Sequence, residues 1–172
     1  MSKPPSSLPS TAPSTLVLRP PRAGDLGWVV HRHGVLYARE YGWDERFEGL
    51  VAEIVANFVA RFDARRERCW IAQQDGVPVG SVFVVRAAAR TAQLRLLLIE
   101  PQVRGRGLGK RLVQACIRFA RARGYRKLVL WTQSELAAAR SIYAAAGFER
   151  NKTQRHAKFG IRMTGEYWEL RL

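Results

Sequence analysis

The sequence lacks several features, and each absence excludes a class of protein. Its 172 residues include only two cysteines, Cys69 and Cys116, without CxxC or Cys/His spacing, so neither a disulfide framework nor a metal site is expected. We interpret both as buried free thiols. No stretch approaches the ~20 apolar residues that a membrane span needs. The Pro/Ser-rich N-terminus has no apolar core of a secretory signal, so a cytoplasmic location is expected.

Acidic residues are also scarce, with 14 Asp and Glu against 29 Lys and Arg, which gives a net charge of +15. The basic residues are 24 Arg and 5 Lys, a skew that a GC-rich genome produces as readily as a function does. They occur along the whole chain, and aromatic residues do not interleave with a basic cluster as in many nucleic-acid-binding domains. The densest group is Arg104, Arg106, Lys110 and Arg111. A phosphate ligand explains it as well as DNA does, so nucleic acid is the less favoured partner.

The hydrophobic patterns predict a disordered tail over residues 1–13 and a single domain over 14–172. A strand at 15–20 is followed by helices beginning near Asp25 and Asp44. Strands are predicted at 69–74 and 77–86, joined by an Asp-Gly turn, and at 92–101. A helix over 108–124, a strand at 127–132, a helix at 134–147 and a last strand at 166–172 complete the order. This order indicates a mixed α/β protein.

The segment QVRGRGLGKRL, residues 102–112, places three glycines at alternate positions among basic side chains. A Walker A loop is excluded because Lys110 is followed by Arg111 and not by Ser or Thr. A dinucleotide fingerprint is excluded because the spacing is GxGxG and no acidic residue follows at ~20 positions. The remaining pattern is R-x-x-G-x-G at Arg104, Gly107 and Gly109. Its amides and the helix beginning near Leu108 are suited to a pyrophosphate.

The segments LLLIEPQVRGRGLGKRL and LWTQSELAAARSIYAAAGF resemble the GNAT acyltransferase superfamily. Over the rest of the chain the amino-acid sequence is most similar to the acetyltransferase domain found fused to MarR-type regulators. The resemblance implies acetyl-CoA as cofactor. It also implies a mixed, mostly antiparallel sheet of six to seven strands flanked by about four helices. The sheet should splay between the strand before and the strand after the glycine-loop helix.

The resemblance also implies roles for individual residues. Tyr143 would be the general acid that protonates the leaving sulfur, since a phenol with a pKa of ~10 keeps its proton at neutral pH. The backbone of the strand before the loop would bind the pantetheine arm, the loop amides would bind the pyrophosphate, and Arg104 and Lys110 would add charge. The expected cofactor-binding residues are Leu97, Leu98, Ile99, Arg104, Gly105, Arg106, Gly107, Leu108, Gly109, Lys110 and Arg140.

The sequence departs from the family pattern at two positions. Leu136 stands where many members have an Asn that contacts the cofactor, and Arg140 is expected to compensate by reaching a cofactor phosphate. Gln93 stands where some members have a catalytic Glu, and an amide cannot act as a base.

The acceptor side is predicted in the first helix. His33, Tyr37 and Glu40 share one helical face that binds an ammonium group and relays its proton, or that is a solvated surface. Trp43, between the first two helices, is a further candidate, whereas His156 is interpreted as a surface residue.

These observations favour an N-acetyltransferase that transfers the acetyl group of acetyl-CoA to a primary amine of a small molecule or amino acid by direct attack. The alternative is an acyl-CoA-binding regulatory or DNA-associated module without turnover. A homodimer is compatible with either hypothesis, and the sequence does not give the acceptor.

Overall fold

A computed structural model describes residues 15–172, so the expected tail at 1–13 lies outside the described residues. The helices are α1 (Asp25–Tyr41), α2 (Glu45–Arg61), α3 (Leu108–Ala122) and α4 (Ala137–Ala145), and Pro101–Val103 form one 3₁₀ turn. The strands are β1 (Leu16–Arg19), β2 (Arg68–Gln74), β3 (Val77–Ala88), β4 (Thr91–Ile99), β5 (Lys127–Gln133), β6 (Glu149–Lys158) and β7 (Ile161–Arg171). Within residues 15–172 no helix is both long and apolar enough to cross a membrane.

The seven strands form one sheet in the order β1-β2-β3-β4-β5-β7-β6. All neighbours are antiparallel except β4 and β5, which are parallel and pair only from Thr91 to Gln93. Beyond Gln93 the two strands diverge, which is the splay that the sequence predicted. This opening lies in the middle of the sheet and is the main feature that positions the site.

The helices cover both faces of the sheet because successive strand residues point to opposite sides. On one face, Phe83 of β3 packs edge-on against Phe58 of α2, with ring centroids 5.0 Å apart. On the other face, its neighbours Val82 and Val84 pack in the cluster that contains Leu112 of α3. Cys69 and Cys116 are both buried free thiols, as predicted.

Most of the predicted elements are confirmed, including several of their ends. Asp44 caps α2, since its side chain accepts a hydrogen bond from the amide of Arg46. Asp75 and Gly76 both have positive φ, 50° and 86°, as a two-residue hairpin turn of this kind requires. Helix α4 begins at Ala137 and not at Ser134, because the preceding residues form a turn.

Strand β6 was missed by the sequence analysis. Its sequence, ERNKTQRHAK, has no apolar alternation, and nine of its ten residues are exposed. It forms the outer edge of the sheet and is held by backbone pairing with β7. An edge strand without a buried face leaves no hydrophobic pattern in the sequence.

Candidate active site

A bulge in β4 sets the shape of the opening. The register with β3 shifts between Arg95 and Leu98, so β4 carries an extra residue, and Leu96 has a φ of 52° in the left-handed region. The hydroxyl of buried Ser81 donates to the Leu96 carbonyl at 3.0 Å and holds the bulge. Because β5 has already diverged, the backbone of β4 that faces it has no strand partner there.

On one side of this opening lies a cleft of about 310 Å³, here called the glycine-loop cleft. It is lined by Leu97, Leu98 and Ile99 of β4, by Arg104, Gly105 and Gly107–Lys110, and by residues of α1 and α4. Of the expected cofactor residues, only Arg106 and Arg140 lie outside the lining. The cleft therefore brings together the strand backbone and the glycine loop, as the sequence predicted.

The backbone conformation of the glycine loop and the free amides at the start of α3 fit a pyrophosphate. Gly105 and Gly107 have φ values of 74° and 77°, and a Cβ at either would meet no other atom within 4 Å, so both glycines leave open space beside the loop. Gly107 caps α3 without a side-chain hydrogen bond, so the first amides of the helix remain available to an anion. Lys110 is exposed and has no ion-pair partner among residues 15–172. These observations fit the expected cofactor.

On the other side lies a smaller cavity of about 110 Å³, here called the aromatic cavity. Its lining includes five large rings, those of Tyr37, Trp43, Phe47, Trp131 and Tyr143, and it extends to Ile54 of α2. The rings pack tightly, with centroids of Tyr37 and Phe47 4.7 Å apart and those of Trp43 and Phe47 4.6 Å apart. Trp43, a predicted substrate residue, is therefore placed in this cavity.

The glycine-loop cleft and the aromatic cavity meet at four residues that line both: Tyr37, Leu97, Leu136 and Ala139. Tyr143 lines the aromatic cavity one helical turn after Ala139, on the same face of α4. It is 5% exposed, and burial raises its pKa above the usual value for a phenol. Tyr143 is therefore protonated across the neutral range and lies close to the junction.

The structure brings only two members of the predicted His33–Tyr37–Glu40 face into the cavity. His33 Nδ1 lies 2.8 Å from the carbonyl oxygen of Val29, which makes Nδ1 the donor and leaves Nε2 unprotonated. Burial lowers the pKa of His33 to about 4. Burial also raises the pKa of Tyr37 well above its usual value. The interpretation as a solvated face is wrong for His33, which is 2% exposed.

Glu40, the third member, does not line the aromatic cavity. Its carboxylate accepts two hydrogen bonds from the Arg104 guanidinium, at 2.8 and 3.0 Å, and both residues line the glycine-loop cleft. The ion pair lies in the lining of the glycine-loop cleft, so it does not support the expectation that Glu40 relays a proton from the acceptor. The charge of Arg104 is likewise already compensated, in contrast to that of Lys110.

Arg140, which was expected to reach a cofactor phosphate, has other partners in the structure. Its guanidinium donates to buried Glu166 at 2.9 Å and to the carbonyl of Ser134, which directs it away from the glycine loop. Glu166 also accepts from Arg150 and from the indole of Trp168. A buried carboxylate needs such partners, and these hydrogen bonds hold its pKa below the usual range despite burial. Arg140 therefore helps to compensate the charge of a buried carboxylate.

Several residues of the site were missed by the sequence analysis. Arg95, Thr132 and Gln133 line the aromatic cavity, and Arg32 pairs with Glu100 at 2.6 Å to fix α1 against the end of β4. His156, interpreted as a surface residue, is half-buried, with Nε2 3.1 Å from the side-chain oxygen of Gln133. Each of these depends on contacts between distant segments, so no local pattern identifies them.

Comparisons with known proteins agree with this arrangement. The sequence profile described as the Acetyltransferase (GNAT) family matches residues 35–148. Mycothiol acetyltransferase from Beutenbergia cavernae is 33% identical over 87 residues, which are 51% of this chain and 29% of that protein. N-acetyltransferase family 8 member 7 from Mus musculus is 28% identical over 120 residues, which are 66% and 53% of the two chains. The matches thus cover about half or less of these relatives' own length.

Solved structures share the fold over nearly the whole chain. The structure of yncA from Salmonella typhimurium, solved with its cofactor acetyl-CoA, has a TM-score of 0.73 and 18% identity over 92% of this chain and 95% of that one. The ribosomal-protein-S18-alanine N-acetyltransferase from Escherichia coli has a TM-score of 0.68 and 19% identity over 91% and 94%. At these identities the likeness shows the fold, and the predicted fold class is confirmed.

Proposed function

Because the chain belongs to the Acetyltransferase (GNAT) family, we propose that it is an N-acetyltransferase that moves an acetyl group from acetyl-CoA to a primary amine of a small molecule or amino acid. One observation carries this proposal: two cavities of different chemistry meet at the splay between β4 and β5. One has a glycine loop for a pyrophosphate, and the other has an apolar, aromatic wall. Such a pair allows two substrates in different cavities to meet at the residues that line both.

Different residues of the chain would bind different parts of acetyl-CoA. The backbone of Leu97, Leu98 and Ile99 would hydrogen-bond the pantetheine arm, since β5 has left these groups without a strand partner. The amides of Gly105 to Lys110, with the start of α3, would hold the pyrophosphate, and Lys110 would add a full charge. Acetyl-CoA supplies a thioester carbonyl carbon that forms a bond to the amine nitrogen while its carbon–sulfur bond breaks.

Two proton movements remain, and the residues at the junction are suited to them. Tyr143 would donate its phenolic proton to the leaving sulfur, since burial keeps that proton in place at neutral pH. Within residues 15–172 no carboxylate lines the aromatic cavity, so the amine would enter as the free base or lose its proton to another group there. The unprotonated Nε2 of His33 would be able to accept a hydrogen bond from the incoming amine.

The test is release of free thiol from acetyl-CoA in the presence of a panel of amines and amino acids, measured for the wild type and for Tyr143→Phe. We expect turnover on at least one acceptor and a fall in kcat of ~10-fold or more in the variant, with the KM for acetyl-CoA little changed. Tyr125→Phe is the matched control, because Tyr125 is also buried but lies outside both cavities.

Each alternative gives a different result. Equal losses in Tyr143→Phe and Tyr125→Phe would indicate a general effect of removing a buried hydroxyl and would contradict the role of Tyr143 as acid. Binding of acetyl-CoA without turnover on any acceptor would support the regulatory-module hypothesis instead.

A further inference from the structure

The aromatic cavity contains a single charged side chain. Of the residues that line it within 15–172, only Arg95 carries a charge at neutral pH, and no Asp or Glu is among them. The rest of the lining is aromatic or aliphatic, apart from His33, Gln93, Thr132 and Gln133. A cavity whose only charge is positive is poorly suited to an acceptor that carries a second cation, such as a polyamine.

Arg95 has no partner that explains its position. Among the described residues it forms no hydrogen bond through its side chain and no ion pair within 4.0 Å. Burial lowers the pKa of Arg95, and the exposed carboxylate of Glu53 in α2 offsets only part of that lowering. A half-buried guanidinium without an anion is costly, and an anionic ligand would remove that cost.

Two further donors in the same lining also lack partners. Gln133 is 1% exposed, its amide nitrogen has no hydrogen bond, and its amide oxygen is already in contact with His156. The indole nitrogen of Trp43, which is 4% exposed, is also without a partner. Both groups can only donate, as Arg95 does, so an acceptor of hydrogen bonds would satisfy all three.

We propose that the acceptor of this enzyme is an apolar α-amino acid whose carboxylate is bound by Arg95, with the amide nitrogen of Gln133 as an additional donor. This inference rests on the proposed acetyl transfer and names the substrate class of the same site. A carboxylate accepts several hydrogen bonds and pairs well with a guanidinium. The apolar side chain of the substrate would contact Phe47, Leu50 and Ile54, which line the aromatic cavity from α2.

The separation of the groups suits a compact substrate. Arg95 lies two residues before Leu97, one of the four residues shared by both cavities, and two residues of strand span at most ~7 Å. The amine must reach this junction while the carboxylate stays with Arg95. In an α-amino acid the two groups are borne by one carbon, so a single small molecule can satisfy both positions.

The test uses acceptor pairs that differ only by the carboxylate: phenylalanine with phenethylamine, and leucine with 3-methylbutylamine. The kcat/KM of Arg95→Gln is divided by that of the wild type for each acceptor, so that differences in amine pKa between acceptors cancel. We expect this ratio to fall on the order of 10–100-fold for both amino acids and to change less than about threefold for both amines. Arg86→Gln, an exposed arginine of β3 outside the cavity, should leave all four ratios near one.

Two results would overturn the inference while leaving acetyl transfer intact. One is that the wild type acetylates the carboxylate-free amines as well as the amino acids; the other is that Arg95→Gln affects amine and amino acid equally. Absence of acetylation on all four acceptors and on the wider amine panel would instead overturn the proposed function itself, and this inference with it.

Discussion

At the scale of single residues, burial in the aromatic cavity changes the acid–base chemistry of Tyr143 and His33 in complementary ways. It raises the pKa of the phenol, which stays protonated, and lowers that of the imidazole to about 4, so that it stays neutral. Desolvation disfavours the charged form in both cases. Tyr143 is therefore a donor and Nε2 of His33 an acceptor of hydrogen bonds in the cavity, and both side chains are uncharged at neutral pH.

The lowered pKa of His33 predicts how stability depends on pH. The unfolded chain takes up a proton near pH 6.5 and the folded chain only near 4, so the free energy of unfolding should decrease as the pH falls through this window. Between pH 7.5 and 5 we expect His33 to account for a loss of about 1–2 kcal/mol. Urea unfolding of the wild type and of His33→Gln at both pH values measures this, and the variant should lose less.

The control is His31→Gln, an exposed histidine on the same helix. It should keep the pH dependence of the wild type. Carboxylates with lowered pKa values, such as Asp25 and Glu166, act mainly at lower pH and are common to all three proteins. An unchanged slope in His33→Gln would contradict the buried, neutral state of His33.

At the scale of elements, α1 is fixed to both ends of the segment that leads into the glycine loop. Arg32 pairs with Glu100 at the end of β4, and Glu40 pairs with Arg104 four residues later. The first pair is more buried than the second, in which the Arg104 side chain is 44% exposed. The exposed pair places a carboxylate in the lining of a cleft suited to phosphate, which opposes binding of an anion.

Removal of this carboxylate should therefore strengthen cofactor binding. In Glu40→Gln, Arg104 becomes free to pair with phosphate, and we expect the KM for acetyl-CoA to fall ~2–5-fold, a modest effect because the pair is partly exposed. The difference should shrink at high salt. Glu45→Gln, an exposed residue of α2 outside the cleft, should leave the KM unchanged. A raised KM in Glu40→Gln would indicate that Glu40 holds Arg104 in a productive position.

At the scale of the whole molecule, the sheet is divided by its own splay. Strands β1 to β4 with α1 and α2 form one side, and β5 to β7 form the other, and β4 and β5 share only three residue pairs within the described sheet. The two sides also meet outside the sheet, where the amide of Asp44 donates to the carbonyl of Phe159. A ligand in the glycine-loop cleft touches elements of both sides, because the lining includes β4, α3 and α4. Binding there should stabilise the folded protein as a unit.

The expected size of that effect follows from mass action. Acetyl-CoA at 100 times its Kd should raise the free energy of unfolding by about 2.7 kcal/mol and Tm by ~5–10 °C. Gly107→Ala should lose much of this ligand-dependent rise, because φ of 77° at the start of α3 is disfavoured for alanine. Gly76→Ala, at a turn with φ of 86° outside the cleft, should lower Tm without ligand but keep the rise. An equal rise in both variants would contradict a role of the loop in binding.

Local patterns in the sequence determined the parts of this protein that depend on a few consecutive residues. The alternate glycines predicted a loop that comes close to an anion, and Gly105 and Gly107 have positive φ there. The helical period predicted α3, and the hydrophobic patterns predicted the strands with a buried face, whereas the proposed role of Tyr143 came from the family resemblance. Such patterns do not predict which side chains pair with each other. Glu40 and Arg104 are 64 residues apart, and Arg140 and Glu166 are 26 apart, so only the folded chain decides which charges compensate each other. For the same reason the uncompensated Arg95, on which the proposed choice of acceptor depends, is visible only in the tertiary structure.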